Sequence, residues 1–397
     1  MLAHLQALTW TFWARRREIA AISVYAEPHE TPAGTVYRAV RAADRGDEGL
    51  ACVDDAARAV VLALQLAEAG DTAAIAWARR WLSFVEYMQL PDGRFANFIV
   101  DVNGRRNLHG PTSFPGGPWW TARALWALAT TYRVLGNRRA LRAYLRCPLS
   151  MSIPIHDYKV LGLLALSAME LLEAEIPPSL ATMLRQQVRA WCEQIIAGSG
   201  TYLTDAPGRQ QVALWGYHQL AALAKAARIL ARSDFLPPCV ATVDSLIVPV
   251  IADGFYYAYP GVKEHQCAYC VSTLVQGLAE LFLTTGNVRY QELALNAAAW
   301  FYGANDAGIV MYDTATGRCF DGLTGPVVSE NCGAESAIEA GLAEIVRRRL
   351  QGLPISVSAA ITTSMVVTPA NERAVDQRDE GLHQDFPSDD KGVPPAS

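Results

Sequence analysis

Apolar residues recur at three- and four-residue spacings along most of the chain, which is the period of a buried helix face. The segments CVDDAARAVVLALQLAEAG, TAAIAWARRWLSFVEYMQL and WWTARALWALATTYRVLGN show this period, and Gly, Pro or Asn stands at their ends. Alternating patterns typical of strands are scarce. The pattern therefore predicts an almost entirely helical protein.

The predicted helices come in pairs. Each pair has a long alanine-rich helix, a short turn such as AGDT or LGNRR, and a second helix, and a longer loop rich in Gly, Asp and aromatic residues follows. Five pairs span residues 50–89, 119–146, 157–197, 209–250 and 267–303. An N-terminal helix over residues 2–21 is expected to partner a helix over 333–350 and close a ring of six pairs. Uneven spacing argues against a regular solenoid, so we expect an all-α (α/α)6 toroid.

Two stretches depart from the helical pattern. The segment YDTATGRC, within residues 308–320, predicts one small β-hairpin with a Thr-Gly turn. Residues 351–397 mix Ser, Thr, Pro and charged residues with little periodicity, which is typical of a disordered tail. We therefore expect a single toroid domain over residues 1–350, followed by a largely disordered segment.

The composition is 51% hydrophobic and 18% charged with a net charge of -5, which fits a soluble protein and gives no basic footprint for nucleic acid. Polar or charged residues interrupt every apolar run, so no membrane span is expected. Apolar residues precede Arg15-Arg16-Arg17 at the N-terminus, the reverse of a secretory signal. Eight scattered cysteines fit a reducing compartment. A cytoplasmic location is the resulting expectation.

Cys267 and Cys270 have the C-x-x-C spacing, and His265 precedes them. A zinc site would need a second such pair or histidines at suitable spacing, and the sequence offers neither. The simpler interpretation is that two small, polarisable side chains pack near a helix start. We therefore expect no metal and no cofactor.

The starts of the inner helices of a toroid meet at one end of the ring. Helix N-termini hold carboxylates and polar ligand atoms well, and aromatic rings beside carboxylates are typical of sugar sites. The candidate ligand-contacting residues on this ground are Trp119, Trp120, Arg123, His156, Arg209, Gln210, Gln266 and Tyr269.

Asp54 and Asp55 open the helix VDDAARAVVLAL. Asp is a favoured N-cap residue, and successive helical residues point about 100° apart, so at most one of the two is expected to face the funnel. Glu335 follows Gly333 in the segment NCGAES; it either complements the helix dipole or acts in a site that Gly333 allows a ligand to approach. Glu335 with Asp54 or Asp55 is therefore the expected catalytic pair.

Polar residues in the last loops allow two interpretations. Asn305, Asp306 and Asp321 either organise the loop and hairpin backbone or line a sugar subsite. Asn331 likewise either caps the helix that follows or belongs to the site.

Several segments resemble a known family. CVDDAARAV, TARALWAL, WFYGANDAGIVMYDTATGRCFDGL and NCGAES are similar to segments of a bacterial α/α toroid family, six-hairpin glycosidase-like, whose members are found beside glycosyltransferases in carbohydrate gene clusters or are named as such. The resemblance extends from Asp47 to Leu350 and implies a carbohydrate context. It matches the family pattern at Asp54, Asp55, Arg58, Arg123, Asn305, Asp306, Tyr312, Asp313, Asp321, Asn331 and Glu335.

The chain also departs from that family. PGGPWW stands where an acidic or histidine residue precedes the family's G-R-A-L-W segment, and Cys332 replaces a glutamine. These differences bear on the substrate and on whether catalysis is retained.

An inverting glycoside hydrolase is the leading interpretation, acting on an oligosaccharide or polysaccharide. It needs a carboxyl acid and a carboxylate base about 6.5 to 9.5 Å apart. We expect burial among apolar groups to keep Glu335 protonated as the acid, with Asp54 or Asp55 as base, although the roles could be exchanged. A uronic-acid polysaccharide lyase with a Tyr or His base is one alternative. A non-catalytic glycan-binding module that partners a glycosyltransferase is the other.

Overall fold

Six long helices form the inner ring of the molecule. The computed structural model describes residues 1–32, 34–43, 46, 48–148, 155–209, 212–254, 256–259 and 262–355. The inner helices are α2 (Val53–Glu68), α4 (Pro118–Leu135), α6 (Tyr158–Leu172), α8 (Gln219–Ile229), α11 (Ala268–Thr285) and α13 (Ala334–Leu350). Each packs against the next along the chain, and α13 packs against α2. This last contact closes the ring and confirms the predicted toroid.

A second layer of helices surrounds the ring. Its members are α3 (Ala74–Met88), α5 (Arg138–Arg146), α7 (Pro178–Gly198), α9 (Leu236–Thr242), α10 (Val248–Asp253) and α12 (Val288–Ala298). All of these except α10 pack on the inner helix that precedes them, whereas α10 contacts α12. Ring neighbours and outer helices together cover the inner helices on nearly every side, which explains their apolar, alanine-rich sequences.

Glycines allow neighbouring inner helices to approach closely at two places. A Cβ added to Gly162 of α6 would lie 3.0 Å from the backbone of His218, at the start of α8. A Cβ added to Gly341 of α13 would lie 3.0 Å from the side chain of Leu62 of α2. These contacts fix the spacing of the helices that carry the candidate site.

The N-terminal segment is not the helix predicted over residues 2–21. The helix α1 (Ala3–Ala7) is short, and the chain then forms a hairpin of β1 (Thr9–Ala14) and β2 (Arg17–Ile22). Burial alternates along β1, where Phe12 is buried and the next residue is exposed. The prediction is wrong because a short run of Trp, Phe and Ile suits either structure, and packing of β2 against α3 selects the sheet.

Short strands connect the helices at several points, more than the sequence predicted. β3 (Tyr25–Thr31) pairs with β4 (Gly34–Val40), and β5 (Ala51–Cys52) pairs with β6 (Phe98–Ile99). The one predicted hairpin is confirmed, because β9 (Tyr312–Asp313) pairs with β10 (Arg318–Cys319).

A four-stranded sheet joins the last two long loops. Its order is β12–β11–β8–β7, and its strands are β7 (Tyr257–Tyr259), β8 (Val262–Cys267), β11 (Gly322–Thr324) and β12 (Val327–Ser329). β8 leads directly into α11, and β11 and β12 lie in the loop before α13. The antiparallel pairing of β8 with β11 therefore holds the starts of these two inner helices side by side.

One helical stretch, Ser233–Asp253, is long and apolar enough to cross a membrane by length and composition. This differs from the expectation that no apolar run reaches that length. The stretch contains α9 and α10, which pack against α8 and α12 as the outer part of the fourth pair. Core helices of soluble proteins can have the same length and apolar composition, so the stretch is weak evidence for a membrane span. The predicted disordered tail lies outside the described residues from position 356 onward.

Candidate active site

The starts of the inner helices meet in one cluster of side chains, which we call the funnel floor. It consists of Asp54, Asp55, Arg58, Trp119, Arg123, Asp157, Trp215, His218, Tyr269, Glu335 and Glu339.

Arg58 lies at the centre of the floor, between the first turns of α2 and α13. Its guanidinium donates hydrogen bonds to Asp55 Oδ1 at 2.7 Å, Glu335 Oε2 at 3.0 Å and Glu339 Oε1 at 2.9 Å. The Arg58 residue is only 1% exposed. One buried cation thus holds three carboxylates from two helices, which stabilises the charged form of each partner.

Arg123, on α4, is the second buried cation of the floor. Its Nε lies 3.2 Å from Asp54 Oδ1, and its Nη2 donates to the Tyr269 hydroxyl at 2.8 Å. The guanidinium carbon also lies 4.7, 5.5 and 5.7 Å from the ring centres of Tyr269, Trp119 and Trp215. These distances are those of cation–π contacts, so Arg123 links the carboxylate of α2 to the aromatic side of the floor.

Tyr269 and His218 form a buried hydrogen-bonded pair beneath the aromatic rings. The Tyr269 hydroxyl lies 2.7 Å from His218 Nε2, and it also accepts a hydrogen bond from Arg123. Burial, with Arg123 and Arg58 nearby, lowers the pKa of His218 well below its ordinary value, and burial raises the pKa of Tyr269. His218 is therefore neutral, and its Nε2 can accept a hydrogen bond from the Tyr269 hydroxyl.

Two half-buried tryptophans pack near this pair, and the Trp215 ring centre lies 5.1 Å from that of Tyr269. The ring centres of Trp119 and Trp215 are 5.0 Å apart. Trp119 Nε1 donates to Asp157 Oδ2 at 3.0 Å, and Trp215 Nε1 donates to Glu335 Oε1 at 3.2 Å. Each indole therefore has a fixed orientation and leaves part of its ring surface open beside a carboxylate.

Exposure separates the four carboxylates in the first two turns of α2 and α13. The side chains of Glu335 and Asp54 are 32% and 19% exposed, whereas those of Asp55 and Glu339 are 3% and 1% exposed. Burial raises the pKa of Asp55 to about 6 although Arg58 opposes it, and burial also raises the pKa of Glu339. Asp54 is thus in contact with solvent, whereas Asp55 is buried. Neither residue is the N-cap of α2, because Cys52 occupies that position.

Asp55 and Glu335 bind the same nitrogen of Arg58. Their oxygens lie 2.7 and 3.0 Å from Nη2, so these two oxygens can be no more than 5.7 Å apart. The guanidinium also stands between them, which leaves no room for the water that an inverting reaction places between its carboxyl groups. Asp54 and Glu335 are therefore the pair with access to a ligand.

The surroundings of Glu335 differ from the expected apolar pocket. Its side chain is about one-third exposed, and its two oxygens accept hydrogen bonds from Arg58 and Trp215. Both oxygens of Glu335 therefore accept hydrogen bonds, and one of the two donors is a cation.

Solved structures with a similar arrangement of helices are carbohydrate-active enzymes. A cellobiose 2-epimerase from Bacillus thermoamylovorans superimposes with a TM-score of 0.59 at 10% identity, covering 77% of this chain and 89% of that one. The cellobiose 2-epimerase of Spirochaeta thermophila gives 0.57 at 12% identity, with coverages of 81% and 92%. An inactive variant of an α-1,6-mannanase of Salegentibacter sp., in complex with α-1,6-mannotriose, gives 0.52 at 11% identity, with coverages of 75% and 89%. This likeness establishes the (α/α)6 toroid fold.

No protein-family model and no curated protein sequence matches the chain. The association with glycosyltransferases that the sequence resemblance implies remains a prediction.

Asp321 organises the start of α13 in this toroid. Its Oδ1 accepts hydrogen bonds from the Gly333 N–H and the Ser336 hydroxyl, both at 2.7 Å. A Cβ at position 333 would lie 2.8 Å from the Val24 carbonyl oxygen, so glycine is required there for packing. Asp321 therefore fixes the chain at the start of the helix that carries Glu335. Burial raises its pKa to about 6, although both hydrogen bonds oppose the shift.

This pKa predicts a pH-dependent effect of Asp321→Asn. Asp321 binds its proton more tightly in the folded state, so wild-type stability falls as pH rises between the unfolded value of about 4 and the folded value of about 6. Asn does not titrate. Relative to the wild type, the variant should gain up to about 3 kcal/mol in free energy of unfolding between about pH 4 and about pH 7, as measured by urea unfolding.

Asp313→Asn is the matched control, with the opposite sign. Partial burial raises the pKa of Asp313, but hydrogen bonds from Thr316 and Ala315 outweigh this effect and bring that pKa below its ordinary value. The control variant should lose stability relative to the wild type as pH rises toward about 4, and should change little between about pH 4 and about pH 7. Parallel behaviour of the two variants would contradict the assignment.

Gln266, Asn305 and Asp306 hold the loops above α11 and α12. Gln266 Nε2 donates to Asp306 Oδ2 at 2.7 Å, and its Oε1 accepts from Trp300 Nε1 at 2.9 Å. The amide nitrogen of Asn305 donates to the carbonyls of Trp300 and Ile309. Asn305 and Asp306 thus make the loop-organising contacts that the sequence allowed as one interpretation, and Asp306 is also exposed. Gln266 was predicted as a ligand-contacting residue, and its side chain joins these loops.

Trp120 and Tyr312 lie in the core and not on the funnel floor. Trp120 is 6% exposed, and its Nε1 donates to the Phe95 carbonyl at 2.9 Å. It points away from Trp119 because adjacent helical residues point about 100° apart. Tyr312, the first residue of β9, is 2% exposed.

The remaining predicted site residues are not part of the funnel floor, and one of them lies outside the described residues. His156 and Arg209 are exposed. Asn331 is half-buried, and its carbonyl accepts from the Asp321 N–H at 2.9 Å. Gln210 lies outside the described residues.

Glu339 and Trp215 are floor residues that sequence reasoning missed. Glu339 follows Glu335 by four residues, so the helical period places both on one face of α13, and this spacing was a usable signal. Trp215 lies in an irregular segment before α8, and the local pattern around it did not indicate that it would contact Glu335.

Proposed function

We propose that the funnel floor hydrolyses a glycosidic bond with inversion, with Asp54 and Glu335 as the reacting carboxyl groups. One observation carries the proposal. These two side chains come from different inner helices and reach solvent beside Trp119 and Trp215, whereas Asp55 and Glu339 are sealed against Arg58.

The contacts assign a role to each group. The open ring surfaces of Trp119 and Trp215 suit the C–H face of a pyranose. Glu335, an acceptor through both oxygens, is the base that activates a water. Asp54, the other carboxyl group that reaches solvent, is by elimination the donor of the proton to the leaving oxygen. This reverses the roles expected from the sequence, because the predicted burial of Glu335 is not observed.

Structures with this fold support a sugar ligand, since they include cellobiose epimerases and a mannanase bound to mannotriose. The likeness does not distinguish hydrolysis from epimerisation. The carboxyl pair favours hydrolysis, because Tyr269 and His218, the floor groups suited to moving a proton at carbon, are sealed below the tryptophans.

The test is product formation on manno-, gluco- and uronic-acid-containing oligosaccharides, followed by proton NMR. We expect a new reducing end that appears first as the inverted anomer. An epimer without a new reducing end, or an unsaturated terminus, would overturn hydrolysis in favour of epimerisation or elimination. Binding without any product would leave a glycan-binding function.

A further inference from the structure

A pair of thiols lies at the edge of the funnel floor. The sulfur atoms of Cys267 and Cys270 are 3.2 Å apart, and neither belongs to a disulfide. Within the described residues no group of three or more His, Cys, Asp or Glu side chains is arranged to hold a metal ion. Two adjacent thiols without a metal carry the chemistry of a dithiol, which is exchange with a disulfide.

The two cysteines differ in access. Cys267 ends β8 immediately before α11 and is partly exposed, whereas Cys270 is buried in the first turn of α11. Burial and the neighbouring Cys267 sulfur raise the pKa of Cys270 well above its ordinary value. The other six cysteines are all buried. Cys267 is thus the one residue of the pair that has solvent-exposed surface.

We propose that Cys267 and Cys270 form a reversible dithiol–disulfide switch that exchanges with a small-molecule disulfide of the oxidised-glutathione type and alters the funnel floor.

The exchange proceeds in two steps. The Cys267 thiolate attacks one sulfur of the small disulfide, which forms a mixed disulfide and releases one small thiol. Cys270 then loses its proton and attacks Cys267, which forms the protein disulfide and releases the second small thiol. The protein loses two protons and two electrons, and the small disulfide gains them.

Formation of the bond would move residues that contact the floor. A disulfide has a sulfur–sulfur distance of about 2.05 Å, so the 3.2 Å separation must shorten by about 1 Å. The segment that must adjust carries Gln266, which holds Asp306 and Trp300, and Tyr269, which contacts Arg123. Oxidation therefore acts on the loop above the floor and on the floor itself.

Thiol titration of the whole protein tests the proposal without any substrate. After incubation with oxidised glutathione, the number of thiols in the denatured wild type should fall by two from eight, and dithiothreitol should restore them. Cys267→Ser should lose none. Cys270→Ser should retain glutathione on Cys267, visible as added mass. Cys147→Ser, a matched control at a distant buried cysteine, should still lose two.

Tryptophan fluorescence reports the coupling, because the Trp215 ring lies 5.1 Å from that of Tyr269. The emission should shift on oxidation of the wild type and of Cys147→Ser, and should not shift for Cys267→Ser. No loss of thiols, or a bond between other cysteines, would overturn the dithiol pair. A two-thiol loss without a spectral shift would overturn the coupling to the floor. Neither readout depends on glycosidase activity, so this test and that of the proposed function fail separately.

Discussion

Replacement of Glu335 by glutamine is expected to lower kcat by at least about 100-fold on the oligosaccharide that the wild type cleaves, the usual size of a lost general base. Glutamine keeps the shape of the side chain and an oxygen that can accept from Arg58 or Trp215. It cannot take a proton from the attacking water. Because the tryptophans remain in place, KM should change little, and steady-state kinetics separates the two effects.

A second substitution and a control sharpen this result. Asp54→Asn should lose a comparable factor on the natural bond but keep activity on an aryl glycoside, whose leaving group departs without a proton. Glu335→Gln should be inactive on both substrates. Glu330→Gln, the same chemical change at an exposed position in the loop before α13, should behave as the wild type. A Glu335→Gln enzyme that retains most of its kcat would show that Glu335 is not the base.

Arg58→Met is expected to reduce the free energy of unfolding by about 3 to 5 kcal/mol, the range for removing one partner of a buried ion pair. Met fills much of the space of the arginine stem but cannot neutralise Asp55 and Glu339, whose side chains are 3% and 1% exposed. The buried carboxylates are then left without their cation. Urea unfolding at neutral pH measures the loss.

Two comparisons separate electrostatics from packing in this variant. The deficit should shrink as pH falls toward about 4, because the buried carboxyl groups become protonated and no longer need a cation. Arg80→Met removes an exposed arginine that lies 4.0 Å from Glu18, and should cost no more than about 1 kcal/mol. A deficit for Arg58→Met that is small and independent of pH would mean that the ion cluster contributes little.

The inner ring could be predicted from the sequence because each inner helix is covered nearly all round and its apolar period extends over many residues. The β9–β10 hairpin could be predicted because YDTATG is a local turn signal, with Asp313 bonding the turn backbone. The strands β1 and β2 could not. Their short apolar runs fit the period of a helix as well as that of a strand, and packing against α3 selects the strand.

The candidate site could be predicted in outline only. Helix starts identified Asp54, Asp55, Arg123, Tyr269 and Glu335, and all five lie on the floor. The same reasoning gave equal weight to Trp119 and Trp120, although one lines the funnel and the other packs on Phe95. A rotation of about 100° between neighbours makes this difference, and it depends on how the helix is turned in the ring.

The amino-acid sequence by itself determined that the chain forms paired helices, where five of the six inner helices begin to within about three residues, and which carboxylates stand at those starts, because these features follow from local period and capping. The fourth pair is the exception, because its inner helix α8 begins at Gln219 and not near residue 209. Only the tertiary structure decided which carboxylates are sealed and which reach the funnel. Arg58 binds Asp55 three residues away and Glu339 281 residues away with similar bonds. Burial and charge pairing across such separations arise from closure of the ring, and no local pattern encodes them.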